Sequence, residues 1–475
     1  MKKYIYKLTC IFLLTGTLIS CDKELDQIPY DGFATANAFV TASDFENGIR
    51  GVYSQLLRGG MYGSSDAGSM LSAPDVLSDN ATLSQGGRNT KLYLHNFSYN
   101  ASTTMLTFYR DAYVMIYHAN QVLFYAENFE GESKANIVAE AKALRALGHL
   151  NLASYFAKIP TQSGDANGSL GVAYVTEADT SILPSRSSVA ETYGMIIQDL
   201  EDARAGINDS NPANRLNKNA VNLLLSRVYL YMGQWQNAVD AANRVTTAVA
   251  PRGSVVGIWE DTSTDGLVFS IENEQPVLGN AIGVTWSQGG VTSLIPEYVV
   301  SFELANLFAS DDIRKDAYVL DASSGGIPYN GIKKLFARPG GQPGVVDYKI
   351  LRAEEAYLNK AEAYFNIGNE AAARQALDQI RTNRYTNPPS GETGNALRDA
   401  IRLERRLELA FEYQRFFDLK RWGLGINRTN AGDIADGSGT PSDVLTLAAG
   451  SNKFQLPIAQ SSLDSNANMQ QNPGY

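Results

Sequence analysis

The chain has 475 residues, 44% of them hydrophobic and 19% charged, with a formal net charge of −10. No basic run suits a phosphate backbone, which argues against nucleic acid, and the length allows one large fold or two intimate subdomains. The only cysteines, Cys10 and Cys21, stand near the N-terminus, so disulfides, thiolate metal sites and a cysteine nucleophile are excluded from everything that follows them.

Lys2, Lys3 and Lys7 lead into an apolar run, Leu8 to Ile19, with the layout of a secretory signal and too short to span a bilayer. The run ends in Leu18-Ile19-Ser20-Cys21, which resembles the bacterial lipobox. That resemblance implies removal of residues 1–20 and lipidation of Cys21, a lipid anchor rather than a protein one. Residues 21–40, opening on Asp22-Lys23-Glu24-Leu25-Asp26 ahead of Pro29, read as a soluble acidic tether.

The body is expected to run from 41 to 475. Thr41 to Leu57 predicts a first helix, capped by Thr41 or Ser43, with Phe45, Ile49, Val52 and Leu56 inward. From Arg58 to Ala101 glycines alternate with Ser, Asn and Asp and no helical period survives, a long loop of the kind that carries function. Helical periodicity returns at Met105, and an alanine-rich second helix is expected from Lys134 to Ala157. Ser226-x-x-Tyr229-x-x-x-Gly233-x-x-x-x-Ala238 and Ala361-x-x-Tyr364-x-x-x-Gly368-x-x-x-x-Ala373 share one spacing, that of the tetratricopeptide repeat. Small residues there let two helices approach, and glycine closes the first. The fold expected is mainly α, a tetratricopeptide-like scaffold of about four helix pairs (about 105–157, 190–250 and 352–423). Between them, about 251–348 forms a loop-rich insert with short β-strands, including Gly266–Ile271 and Gly279–Trp286, and the Ala322–Gly326 and Arg338–Gly344 tracts read as surface hairpins or loops.

Ile401 to Gly423 sets Leu403, Leu407, Ala410 and Phe411 on one apolar helical stripe, within a helix pair expected over about 395–423. Arg405/Glu408 and Glu412/Arg415 stand three apart, able to pair on its surface. Its aromatic end, Phe416, Phe417, Leu419 and Trp422, is too apolar for water, so the segment is expected to wedge against the body with its charges paired. The pattern E-R-R-x-E-L-A-F-E-x-x-R-x-x-D-L-x-R-W-G closely resembles the C-terminal signature of SusD/RagB-like lipoproteins. Asp311-Asp312-Ile-Arg314, Arg352-Ala-Glu354 and the closing Gln-Asn-Pro-Gly-Tyr475 resemble that family too. The resemblance implies a cell-surface, glycan-capturing lipoprotein of the outer membrane of Bacteroidetes. Its partner would be a SusC-like TonB-dependent transporter, a barrel that it caps as a lid. The acidic residues after Cys21 resemble the surface-export signal of such lipoproteins.

No catalytic frame stands out. His95, His118 and His149 form no metal-binding pair, His118 and His149 read as core or boundary residues, and neither a nucleophile elbow nor a P-loop is present. Binding without catalysis and without a cofactor is expected; calcium needs oxygen ligands brought together by the fold, so no metal ligand is named. A sugar needs an aromatic platform and polar groups at its rim. Trp286 and Trp259, in the insert, and Tyr62, Asp79, Asn80, Arg88, Tyr93 and Asn96, in the early loop, are the ligand-binding candidates. Trp235 and Trp422 read as structural. In SusD-like proteins the sugar lies across a surface built from such a loop and insert. Two alternatives stay open: a surface-anchored repeat scaffold that binds protein or peptide rather than glycan, and a hydrolase using a carboxylate pair.

Overall fold

The computed structural model describes residues 38–63, 69–273 and 280–475; the signal segment, Cys21 and most of the tether lie outside them. Helix α1 (Ala42–Gln55) starts at a reciprocal cap, in which Thr41 Oγ1 accepts from the Asp44 N–H and the Asp44 carboxylate accepts from the Thr41 N–H. Phe45, Ile49, Val52 and Leu56 are all buried. Helices α2 (Leu106–Ala126), α3 (Lys134–Phe156), α4 (Val189–Gly206), α5 (Lys218–Tyr231) and α6 (Trp235–Asn243) follow, each packed on the next. Covered by neighbours on both sides, α3 is buried along almost its whole length. At Gly148 a Cβ would lie 2.9 Å from the Ile116 and Met115 side chains of α2, so the two helices cross as closely as they do only over a glycine.

Helices α7 (Ala353–Asn366), α8 (Glu370–Arg381) and α9 (Gly394–Glu408) complete the stack, with α7 packed on α6. The two sequence repeats are α5/α6 and α7/α8. Gly233 and Gly368 close their first helices with φ of +69° and +80°, where a side chain would be strained. Ser226 Oγ donates to the Ala238 carbonyl at 3.1 Å and accepts from Asn359 Nδ2 at 3.2 Å, fastening one repeat to the other. Tyr229, Trp235 and Tyr364 pack over Leu230, Ala238, Val239 and Ala363 at that junction. The architecture is thus a mainly helical, tetratricopeptide-like scaffold, and among the described residues no helix is long and apolar enough to cross a membrane.

Strands are few and short. A four-stranded antiparallel sheet has the order β1 (Ala81–Leu83), β5 (Tyr298–Val300), β7 (Ile327–Ile332), β6 (Val319–Ser324). β2 (Leu267–Ile271) pairs with β8 (Tyr348–Arg352), closing the insert immediately before α7, and β3 (Ser287–Gln288) pairs with β4 (Ile295–Pro296). The Ala322–Gly326 tract is the β6–β7 hairpin. In the strand expected over Gly279–Trp286, Gly279 lies outside the described residues, and Ile282–Thr285 forms a single 3₁₀ turn instead. Gly283 is wedged there, its N–H bonded to the Gly344 carbonyl at 3.0 Å, and a Cβ would lie 1.9 Å from Leu335 O, leaving no room for a pleated side chain.

The C-terminal segment divides into two helices, and its apolar stripe is interrupted before Phe411. α9 stops at Glu408 and α10 (Arg415–Arg421) starts afresh, with Phe411 and Tyr413 in left-handed backbone at φ +61° and +68°. Tertiary partners take over the groups that would have continued the helix: Phe411 N–H donates to Asp75 at 3.0 Å, while the Glu408 and Ala410 carbonyls accept from Lys334. The local pairs Arg405/Glu408 and Glu412/Arg415 do not form. Arg405 binds Asp418 and Asn359, Glu408 binds Arg352 and Arg384, Glu412 binds Lys334 and Arg352, and Arg415 binds Asp79. Leu403, expected on the apolar stripe, is exposed. α10 also caps α3: Lys420 Nζ donates to the Ser154 and Ala157 carbonyls at 2.7 and 2.6 Å, and burial pushes this amine well below its usual range.

Candidate functional site

The early loop and the insert, far apart in sequence, meet through the β1–β5 pairing, which sets Ala81 opposite Val300 and Leu83 opposite Tyr298. Gly87 rests against the insert, with room for no Cβ between it and Pro296 O. The next residue, Arg88, gives both its N–H and its guanidinium to the buried Glu297 carboxylate. With the Gln288 amide turned oxygen-inward, that oxygen accepts from Arg88 Nε and Nη1 at 3.1 and 3.2 Å. A third segment joins them. Asp433 accepts from the Ser84 hydroxyl and the Gln85 N–H, Ser442 meets His95 Nε2 at 2.9 Å, and Asp443 accepts from Asn96 at 3.2 Å. The same segment reaches β7, since Ala435 N–H donates to Pro328 O and Asn330 donates to Ala435 O.

Where the tip of the β3–β4 hairpin, the β6–β7 hairpin and Ala435 meet, an open cleft of about 330 Å³ forms, lined by Val291, Thr292, Asp321, Ser323, Pro328 and Tyr329 among others. Tyr329 gives it an aromatic wall, while Thr292 and Asp321 are exposed at the cleft. A mostly apolar lining with hydroxyl and carboxylate groups beside it suits a ligand that carries both C–H faces and hydroxyls. None of the cleft-lining residues was among the sequence candidates. Tyr329 gives no signal in the sequence beyond lying three residues past the Ala322–Gly326 tract, and Ala435 none at all.

The sequence candidates divide by burial. Trp286 is 1% exposed, its ring edge-on to Phe411 and Tyr298 with centroids 5.5 and 6.5 Å away. Trp259 is also buried, its ring facing Lys334 Nζ at 4.4 Å. Tyr62 packs edge-on to Tyr413, and burial pushes its hydroxyl up to about 12. Asp79 and Asn80 are buried in the frame of the loop. Asp79 takes a two-pronged bond from Arg415 at 2.7 and 2.8 Å, and Asn80 joins Asp75 to Arg406. As direct ligand contacts these five are corrected: their polar groups are consumed, or their rings covered, by the junction of loop, insert and clasp. Arg88, Tyr93 and Asn96 stay at or near the surface. His149 is a core residue as expected, bridging Arg145 O and the Val175 N–H, and burial pushes it down to about 3. Among the described residues no group of three or more His, Asp or Glu side chains could hold a metal ion.

Asp75 makes the frame pH-sensitive. Burial raises its carboxyl to about 6 despite hydrogen bonds from Asn80 and the Phe411 N–H. The ordinary value is 3.8, so between 3.8 and about 6 the folded chain holds a proton that the unfolded chain has lost, and stability falls as pH rises through that window. Asp75→Asn is expected to remove this fall, making the slope of unfolding free energy against pH more positive across the window. An unchanged slope in urea titrations would show that Asp75 ionises normally.

The comparisons with known proteins agree across the chain. The model of the SusD family matches residues 323–475. A second SusD-like model, described as starch-binding and associating with the outer membrane, matches residues 34–230. Two SusD-like proteins of Formosa agariphila are similar, one 26% identical with all of both chains covered, the other 21% identical over 87% of this chain and 89% of the relative. Among solved structures, a SusD superfamily protein of Bacteroides thetaiotaomicron superposes with a TM-score of 0.81 at 25% identity, covering 91% of this chain and all of that one. A laminarin-binding SusD-like protein superposes with a TM-score of 0.72 at 22% identity, covering 92% of this chain and 100% of its own.

Proposed function

This chain is a SusD-like protein, and from that premise we propose that it captures oligo- or polysaccharide at the outer membrane, without cleaving it, and hands it to a SusC-like TonB-dependent barrel. The observation that carries the reading is the cleft between the β3–β4 and β6–β7 hairpins, which joins Tyr329 to polar groups at the meeting of early loop and insert. The names of the relatives support carbohydrate as the ligand class, since one neighbour binds laminarin and one matching family is described as starch-binding. The lipobox-like Leu18–Cys21 supports attachment through lipid on Cys21, and the acidic residues after it support display on the outer face. Delivery to the barrel rests on the family resemblance, with the helical scaffold as the surface that would dock.

The test is a panel of polysaccharides in affinity electrophoresis, using the chain that starts after Cys21. At least one glycan is expected to retard the protein with no release of reducing ends. Asp321→Ala combined with Tyr329→Phe removes two polar groups while keeping the ring, and is expected to weaken retention about tenfold, two hydrogen bonds of roughly 0.5–1.5 kcal/mol each. No retardation by any glycan, with a peptide or protein bound instead, would make the chain a scaffold. Recovery of no TonB-dependent barrel when the lipidated protein is pulled from outer membranes would overturn the delivery step.

A further inference from the structure

A second cleft lies on the helical scaffold, outside the junction of loop and insert. It has a volume of about 320 Å³, within the usual range of small-molecule sites, and is lined by Thr161, Trp235, Phe365, Arg398, Arg402 and Trp422 among others. Trp235 opens α6, Phe365 lies in the last turn of α7, Arg398 and Arg402 lie one turn apart on α9, and Trp422 caps α10. Both indoles are half-buried, leaving part of each ring open. For rings that serve packing alone, full cover would be the simpler outcome, as it is for Trp259 and Trp286.

The indole of Trp422 is fixed: its Nε1–H donates to Glu362 at 2.8 Å, and the guanidiniums of Arg402 and Arg421 each lie 4.8 Å from its centroid. The two arginines differ in their partners. Arg421 is neutralised by Glu362 and Asp418. Arg402 has no carboxylate within ion-pair distance among the described residues; Glu362, on the cleft wall, and Asp399 act on its charge only from further off, and its contact is the Trp422 ring. Its neighbour Arg398 is turned to Asp399 and Asn395 at the exposed rim. Nearly every other buried or half-buried arginine of the C-terminal segment is held by an acid, so Arg402 stands out as a cation left for something else. Thr161, on the cleft wall, likewise keeps a hydroxyl without a hydrogen-bond partner. In a chain of net charge −10 this is a locally positive, aromatic hollow.

We propose that this cleft is a second saccharide site, selective for a sugar bearing an anionic group, a carboxylate or a sulfate. The anionic group pairs with Arg402, and the C–H face of the ring lies on the partly open indole of Trp235, the Trp422 ring being already faced by two guanidiniums. A planar guanidinium stacked on an aromatic face is held in place before the ligand arrives, which lowers the entropy lost on binding. The hollow is too small for a peptide helix, and no strand edge borders it to pair with an extended chain, which favours a sugar over a peptide. The inference rests on the reading of the chain as a carbohydrate binder, but uses residues that the first cleft does not.

The experiment is isothermal titration of the soluble chain with four probes, oligogalacturonate, a sulfated galactan oligosaccharide, a neutral malto-oligosaccharide and an acidic peptide, repeated for Arg402→Gln, Arg402→Lys and Trp422→Phe. One or both anionic probes are expected to bind, about tenfold or more weaker in Arg402→Gln and partly restored in Arg402→Lys. The affinity should fall with added salt. Which anionic probe binds separates carboxylate from sulfate. Anionic probes that bind equally well to Arg402→Gln overturn the site. So does failure of both anionic probes while a neutral glycan binds, an outcome that leaves the capture function standing. If no glycan of any kind binds and an acidic peptide does so through Arg402, both readings fall together. Circular dichroism and thermal melts of Arg402→Gln matching the wild type establish that the loss is local.

Discussion

Replacing Glu408 with glutamine is expected to lower the unfolding free energy by about 3–5 kcal/mol, the usual cost of removing one partner from a buried ion network. Glu408 lies at the centre of five buried cations, Arg314, Arg352, Arg381, Arg384 and Lys334, and five buried acids, Asp312, Glu354, Glu404, Glu408 and Glu412. It accepts from Arg384 at 2.8 and 2.9 Å and from Arg352 at 3.0 Å, with Arg314 at 3.5 Å. Burial alone would raise its carboxyl; Arg384, Arg352 and Arg314 together override that and hold it well below the ordinary range. Glutamine keeps the shape and one acceptor but leaves the cluster one positive charge in excess, with no water to spread it. Urea denaturation measures the loss, with Leu403→Ala on the exposed face of the same helix expected to change little. A loss under 1 kcal/mol would mean that Glu404 and Glu354 can neutralise the guanidiniums between them.

That network also shows what could be read from the sequence and what could not. The signature segment was expected to lie wedged against the body with its charges paired, and it does. The partners were misassigned because helix spacing supplies only neighbours three or four residues away, whereas Arg314, Arg352 and Arg384 come from three other elements. Helix starts and repeats were legible because caps and small-residue spacing are local: Thr41, Gly233 and Gly368 behave as their positions require. The strand expected over Gly279–Trp286 failed for the opposite reason, since Gly283 is dictated by Leu335 and Gly344, more than fifty residues away. The cleft followed the same rule. Polar residues on glycine-rich backbone singled out the early loop, but the fold turned Asp79 and Asn80 inward as anchors for Arg415 and Arg406. It turned outward Asp321 and Thr292, which no pattern distinguishes.

Trp286→Ala is the second large effect expected, about 3–5 kcal/mol of lost stability, from truncating a fully buried aromatic side chain. The ring is buried and is not part of the candidate cleft's lining. The backbone N–H of Trp286 donates to the Gly283 carbonyl at 2.9 Å, and its backbone carbonyl accepts from the Glu297 and Tyr298 N–H groups at 2.8 and 3.2 Å. The Trp286 backbone thus ties the base of the β3–β4 hairpin to the 3₁₀ turn, while its ring packs between Tyr298 and Phe411, in the strained turn of the C-terminal clasp. Removing the ring is expected to loosen the hairpin that carries Val291 and Thr292, so weaker glycan retention would follow from lost order rather than from a lost contact. Trp286→Phe separates the two. Phenylalanine fills most of the space and removes an indole N–H that has no partner, so its cost is expected to stay within about 1.5 kcal/mol. If Trp286 only supports the cleft, the phenylalanine variant retains the glycan as the wild type does, and the alanine variant regains affinity under conditions that restore its native near-ultraviolet circular dichroism. A fully folded Trp286→Phe protein that no longer binds would return the indole to the list of ligand contacts and require the hairpin to open in the bound state.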